Sequence, residues 1–220
     1  LYSSAASDVY KRRGMFEPVT KWGVSIRNAD TIPEIVRKAI RLARQEKPGN
    51  DFGNFTSTRM RTKSSWKYGR IEISAKIPAN TGNGVWPAIW MLSDTFPDIP
   101  WPKCGEIDIM EYVGNAPHEI LNTLHFADNF DNHQYIGSAT PFTEDNQFHL
   151  YSIEWDENKI IWYFDDEETF RVIRSNPNIS STWPFDTEFH ILLNTAVGGN
   201  LGGTIDAASL QYPKYMEVDY

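Results

Sequence analysis

Three observations make this an all-β chain that folds as a two-sheet sandwich. From residue 55 onward, short stretches of alternating apolar and polar residues recur with turn residues between them, the period-2 pattern of half-buried strands. A helical period occurs in one stretch alone, residues 31–46. The length of 220 residues fits one sizeable domain, and many short strands bury their apolar faces by packing two sheets together.

The helical stretch opens at Thr31, which forms a capping box with Glu34, and Pro33 sits in the first turn, where its missing N–H costs little. Ile32, Ile35, Val36, Ala39, Ile40, Leu42 and Ala43 supply an apolar stripe, and Pro48-Gly49 stops the helix. Glu34 and Lys38 add an i,i+4 pair in the favourable order. Arg37, Arg41 and Arg44 read as its solvated face. Strands are expected over 66–77, 85–92, 106–113, 122–126, 149–155, 160–164 and 190–194. Residues 78–84 turn the chain, and Trp155-Asp156-Glu157-Asn158-Lys159-Ile160 reads as a hairpin turn.

Composition narrows the partners. A net charge of −8 argues against nucleic acid, whose phosphates need basic patches. Eight Trp and ten Tyr serve either a Trp-rich core or a cleft whose flat rings pack on sugars. A single cysteine excludes an internal disulfide, and Cys104 reads as a packing residue rather than a nucleophile. No apolar run reaches membrane-spanning length, and no signal peptide is visible. Charge is uneven: residues 1–50 carry 10 Lys and Arg against 5 Asp and Glu, a net of +5, whereas residues 51–220 carry 11 against 24, a net of −13. The shift places a boundary near Pro48-Gly49-Asn50.

The chemistry concentrates in Glu106-Ile107-Asp108-Ile109-Met110-Glu111, three carboxylates within one apolar stretch. Desolvating a carboxylate costs several kcal/mol unless something compensates. Ile-Asp-Ile alternation reads as a strand, so Glu106 and Asp108 share a face while strict alternation turns Glu111 away. A one-residue bulge around Met110 would restore Glu111 to that face. The Cα atoms of the two Glu would lie about 13 Å apart, at ~3.3 Å per position. Their long side chains could then bring the carboxylates to roughly 5–6 Å, a spacing suited to glycoside hydrolysis with retention. The plainer alternative is a half-exposed strand with its acids facing water. His118, His133, His149 and His190 show no metal-ligand spacing, and Gly198-Gly199-Asn200 is a turn rather than a phosphate loop.

The surroundings of the acids favour the functional reading. GEIDIMEYVG at 105–114, GVWPAIWML at 84–92, WKYGRIE at 66–72, LHF at 124–126 and AVGGN at 196–200 resemble glycoside hydrolase family 16, in particular its laminarinase-like endo-1,3-β-glucanases. The resemblance runs from about residue 55 to residue 220, and the inserted Met110 matches the laminarinase form of the acid motif. It implies a jelly-roll β-sandwich with a cleft across its concave face. By motif position it implies Glu106 as nucleophile, Glu111 as general acid/base, and Asp108 as the residue that holds Glu106 and separates the two Glu pKa values. Trp90 and Trp101 would stack on sugar rings, with His125 and Arg59 near the substrate; Trp86 belongs to either the cleft or the core. No cofactor is implied for catalysis, and a structural calcium would use Asp219. The partner implied is a polysaccharide, with no nucleic acid and no membrane, and the protein is expected to be a secreted monomer.

Residues 1–50 depart from that pattern. The stretch 9–49, through Met15-Phe16-Glu17-Pro18-Val19-Thr20-Lys21-Trp22 and Ile32-Pro33-Glu34-Ile35-Val36-Arg37-Lys38-Ala39, resembles part of acetolactate-synthase-like thiamine diphosphate enzymes. It carries no cofactor motif and implies no such activity. We therefore expect 1–50 to be an atypical N-terminal segment with one helix, standing where family 16 has its first strands, and 51–220 to be the sandwich. Three readings follow: an endo-β-1,3-glucanase, a family 16 hydrolase of mixed-linkage glucan or algal galactan, or a glycan-binding or chimeric scaffold with an incomplete cleft.

Overall fold

Alternation builds two antiparallel sheets, seen in a computed structural model that describes residues 57–78, 81–143, 146–179, 181–205 and 214–220. The helix expected over 31–46 and the division at residue 50 lie outside the described residues. One sheet has six strands in the order β1 (Arg59–Arg61), β10 (Phe189–Val197), β3 (Val85–Ser93), β4 (Glu106–Glu111), β5 (Glu119–Ala127) and β6 (His133–Pro141). The other has five: β11 (Glu217–Val218), β2 (Gly69–Lys76), β7 (His149–Trp155), β8 (Lys159–Phe164) and β9 (Glu167–Ile173). A four-residue helix, α1 (Gly199–Gly202), follows β10.

The inner faces of the sheets form the core. Ile89, Met91, Ile107, Ile109, Met110, Leu124 and Phe126 of the first sheet are buried in one cluster with Ile73, Tyr151, Ile153, Trp155, Ile160 and Trp162 of the second. Buried indoles need a hydrogen-bond acceptor. Trp162 Nε1 donates across the sandwich to Asp108 O at 2.8 Å, and Trp155 Nε1 donates to Phe185 O at 3.1 Å. The first of these ties the acid-bearing strand to the opposite sheet.

Each expected central strand is present. Trp66, expected to open one, instead makes an isolated bridge to Phe189, and β2 begins at Gly69. The strands with no sequence-based expectation are β1, β6 and β9. All three lie at sheet ends among the described residues. An edge strand keeps much of its surface in water and lacks a strong apolar alternation; β6 accordingly has no fully buried residue. The fourth edge, β11, is only two residues long and is likewise too short to carry a periodic signal.

Gly84 leads into β3 with φ +91°, and a Cβ there would lie 2.7 Å from Ile205 Cα. Its carbonyl accepts a hydrogen bond from Gly198 N at 2.6 Å, so the turn cannot easily move aside. Gly84→Ala is expected to lower stability by about 1–3 kcal/mol through combined strain and overlap. Urea unfolding measures the change, and an unaltered midpoint would refute the close approach.

Candidate active site

Cross-strand register assembles the site on the outer face of the six-stranded sheet. One row runs His190, Leu92, Glu106, His125, Tyr135; the next runs Arg61, Leu192, Trp90, Asp108, Thr123, Gly137; a third runs Arg59, Asn194, Ala88, Glu111, Leu121, Ala139. In β4 the pairing jumps: Trp90 opposes Asp108 while Ile89 opposes Met110, which leaves Ile109 as an extra residue. The same shift appears against β5 between Asp108 and Glu111. This is the expected one-residue bulge, placed at Ile109 against β3. Ile109 and Met110 both turn into the core, so Glu111 returns to the face of Glu106 and Asp108.

Indoles frame the carboxylates. Trp101 Nε1 donates to Glu106 Oε2 at 3.1 Å, and Trp86 Nε1 donates to Glu111 Oε1 at 3.0 Å. Trp86 therefore belongs to the site rather than the core. Trp90 Nε1 donates to Asn194 Oδ1 at 2.7 Å, and the Arg59 guanidinium carbon lies 4.6 Å above the Trp90 ring. Arg59 also acts on Glu106 through its charge. Trp101 is 43% exposed and presents its ring beside the acids.

His125 reaches the centre. Its Nε2 lies 3.9 Å from Glu106 Oε1 and 3.2 Å from Asp108 Oδ2. The second contact lacks hydrogen-bond alignment, so Asp108 Oδ2 is buried with no hydrogen-bond partner among the described residues. On the other side, His125 Nδ1 and His133 Nε2 are 2.8 Å apart, so one ring donates to the other. His133 also packs against Trp101, with centroids 4.6 Å apart.

Burial dominates the electrostatics. It pushes Glu106 up to about 8, Asp108 adds to the rise, and His125 opposes it. Asp108, at 2% exposure, is held well above the ordinary carboxylate range by burial and then by Glu111. Glu111 is raised by burial, against the pull of His125 and the Trp86 N–H. Three acids this close cannot all be ionised. Asp108, the most buried and with an unpartnered oxygen, is the natural holder of a proton. Cys104 packs with Leu92, Leu192 and Trp90, and burial pushes its thiol up to about 11, so it is no nucleophile at neutral pH.

Among the described residues, Glu106, Asp108 and His125 offer ligand atoms within 4.8 Å of one another, close enough to share a cation. Asp219 lies elsewhere: it is exposed, and its backbone N–H donates to Ser74 O at 2.9 Å. The structure thus gathers Glu106, Asp108, Glu111, Trp86, Trp90, Trp101, His125 and Arg59 on one face and leaves Asp219 away from them. Sequence reasoning missed His133, Tyr135, Thr123 and Asn194, which reach the site only through register. Asn194 alone carried a sequence signal, as a polar residue ending an apolar strand.

Comparisons with known proteins agree with this geometry. Residues 24–214 match the family described as Glycosyl hydrolases family 16. A β-glucanase of Rhodothermus marinus is 42% identical over 182 residues, covering 76% of this chain and 61% of that protein. Glucan endo-1,3-β-glucosidase A1 of Niallia circulans is 37% identical over 186 residues, covering 78% of this chain and 26% of that protein. The chain thus spans less than two thirds of either relative's length. Among solved structures, the laminarinase catalytic domain of Thermotoga maritima matches with a TM-score of 0.67 and 36% identity, over 79% of this chain and 72% of that one. The match bears out the jelly-roll β-sandwich. The comparisons lend no support to a thiamine diphosphate resemblance of residues 9–49.

The raised acids carry a stability cost with a definite sign. Glu106 titrates near 4.5 when unperturbed and about 8 when folded. Ionisation therefore weakens the fold increasingly as pH rises from about 4.5 to 8, and fully above that. Glu106→Gln should melt about 3–5 °C above the wild type at pH 8.5 and no higher below pH 4. A Tm difference that is constant across pH would contradict the buried, raised carboxyl.

Proposed function

Since the chain belongs to family 16 of the glycosyl hydrolases, we propose that it cleaves β-1,3-linked glucan of the laminarin type at internal bonds, with retention. The observation that carries the reading is the bulged strand, which presents Glu106, Asp108 and Glu111 on one face between the Trp86 and Trp101 indoles. In the first step the Glu106 carboxylate attacks the anomeric carbon. The glycosidic C–O bond breaks, and the Glu111 carboxyl gives its proton to the leaving oxygen. In the second, Glu111 takes a proton from water, whose oxygen displaces Glu106. Asp108 stays neutral, which removes its repulsion of Glu106 and leaves it a proton to donate toward the nucleophile. Trp101 and Trp90 offer ring faces to the sugars, and Arg59 and His125 add polar contacts.

The two carboxylates need no cofactor. A polymeric substrate outside the cell implies secretion, and we propose a monomer, since the site is built from one chain. No helix among the described residues is long and apolar enough to cross a membrane. A structural calcium at Asp219 rests on the family resemblance; among the described residues, Asp219 belongs to no group of three or more His, Cys, Asp and Glu placed to share an ion. Chelation with EDTA should then lower Tm with little change in initial rate, and an unchanged Tm removes the calcium.

Reducing-sugar release tests the activity. Laminarin is expected to be hydrolysed faster than lichenan or agarose, with the β-anomer appearing first by NMR. Glu106→Gln and Glu111→Gln should each reduce laminarin turnover by at least about 1,000-fold without loss of fold. Preference for lichenan or agarose would move the glycan, and binding without release would make the protein a lectin-like module. The rate should rise as Glu106 ionises and fall as Glu111 loses its proton. With both groups raised, the bell is expected above the ordinary carboxylate range; an optimum near pH 4 would contradict it.

A further inference from the structure

The bulge that aims Glu111 creates a problem on the opposite side of the sheet. An extra residue interrupts the ladder, and a buried carbonyl without a partner is costly. Asn122 answers this for Ile109. It sits on β5 among core residues at 3% exposure, and its Nδ2 donates to Ile109 O at 2.8 Å. Asn122 is itself met from the second sheet: Thr169 Oγ1 lies 3.4 Å from Asn122 Oδ1 and 3.4 Å from Trp162 O.

Thr169 is also an extra residue. In the β8–β9 pairing, Trp162 opposes Phe170 and Tyr163 opposes Glu168, which leaves Thr169 unpaired. Two bulges, one in each sheet, therefore face each other across the sandwich and are joined through one buried amide. Trp162, beside the second bulge, holds Asp108 O. The two carbonyls at the catalytic bulge are thus gripped from behind by side chains that cannot touch a substrate.

From this we infer that Asn122, braced by Thr169, is a positioning residue that locks the β4 bulge and thereby aims Glu111 at the leaving oxygen. The inference rests on the proposed acid/base role of Glu111. A polar residue at this depth has no packing advantage over Leu, and the amide is spent on the one carbonyl that the bulge leaves to a side chain of β5. Without that bond the strand can relax toward regular pairing, which turns Glu111 from the Glu106 face.

Asn122→Leu keeps the volume and removes the donor. Its kcat on laminarin is expected to fall about 100-fold with KM within about twofold, as for a misplaced catalytic group. The diagnostic is azide, which attacks a glycosyl-enzyme without base assistance. On a dinitrophenyl oligoglucoside, azide should accelerate Asn122→Leu and the Glu111→Gln control several-fold, and leave the wild type unchanged. Thr169→Val keeps the Asn122 donor and should lose only about threefold in kcat. If Asn122→Leu does not fold, Asn122→Val removes the amide donor with less bulk in a strand-favouring residue and should show the same azide response. A folded variant with wild-type kcat, or with a lowered kcat and no azide response, overturns the inference. Should the wild type itself fail on every glycan, the functional reading falls. Crystal structures then decide the bulge alone: it must be lost, with Glu111 off Trp86 Nε1, in Asn122→Leu, and an unchanged bulge overturns it.

Discussion

One extra residue in β4 determines the character of the site. A strand presents alternate side chains to opposite faces, and Glu106 and Glu111 are five positions apart, an odd interval. Regular pairing would point one acid at the outer face and the other into the core, where an ionised carboxylate has no compensation. The bulge at Ile109 removes that conflict by sending two successive apolar side chains inward. The three acids then share one surface, and each becomes available to the same ligand. The framing indoles, the histidine pair and the row containing Arg59 and Asn194 have meaning only once that shift has been made.

Such an arrangement works against stability. The protein holds three carboxyls in a place where burial and mutual repulsion raise them all. Trp101 and Trp86 N–H groups and His125 give back part of that cost by favouring the charged forms of Glu106 and Glu111. Among the described residues Asp108 Oδ2 accepts no hydrogen bond, and burial favours its neutral form, in which it adds no charge to the cluster. The tuning needed for acid and base chemistry thus arises from incomplete compensation of buried charge.

The second sheet is more than a support. Trp162 donates to the Asp108 carbonyl, and Thr169 meets the amide that holds the Ile109 carbonyl. These contacts fasten the backbone behind the acids, while the side chains in front stay free for substrate. Rigid placement of a site by elements that do not touch the ligand is what lets short side-chain movements, rather than backbone shifts, accommodate a reaction.

Much of this was legible in the chain itself. Alternation marked the central strands because each packs one face on a core, and the odd spacing of Glu106 and Glu111 within an apolar run demanded a bulge. The same run, with its Trp and His neighbours, pointed to paired-carboxylate chemistry and to family 16. Alternation was silent on β1, β6 and β9, since edge strands bury too little to carry a periodic signal. It was silent, too, on His133, Thr123, Asn194 and Asn122. Those residues lie far from β4 in sequence, or face the side of the sheet opposite its acids. Local pattern determined which residues form strands and which strand bears the acids. Cross-strand register and the packing of two sheets decided which side chains meet those acids and what holds the bulge, because such contacts depend on distances that close only when the sandwich does.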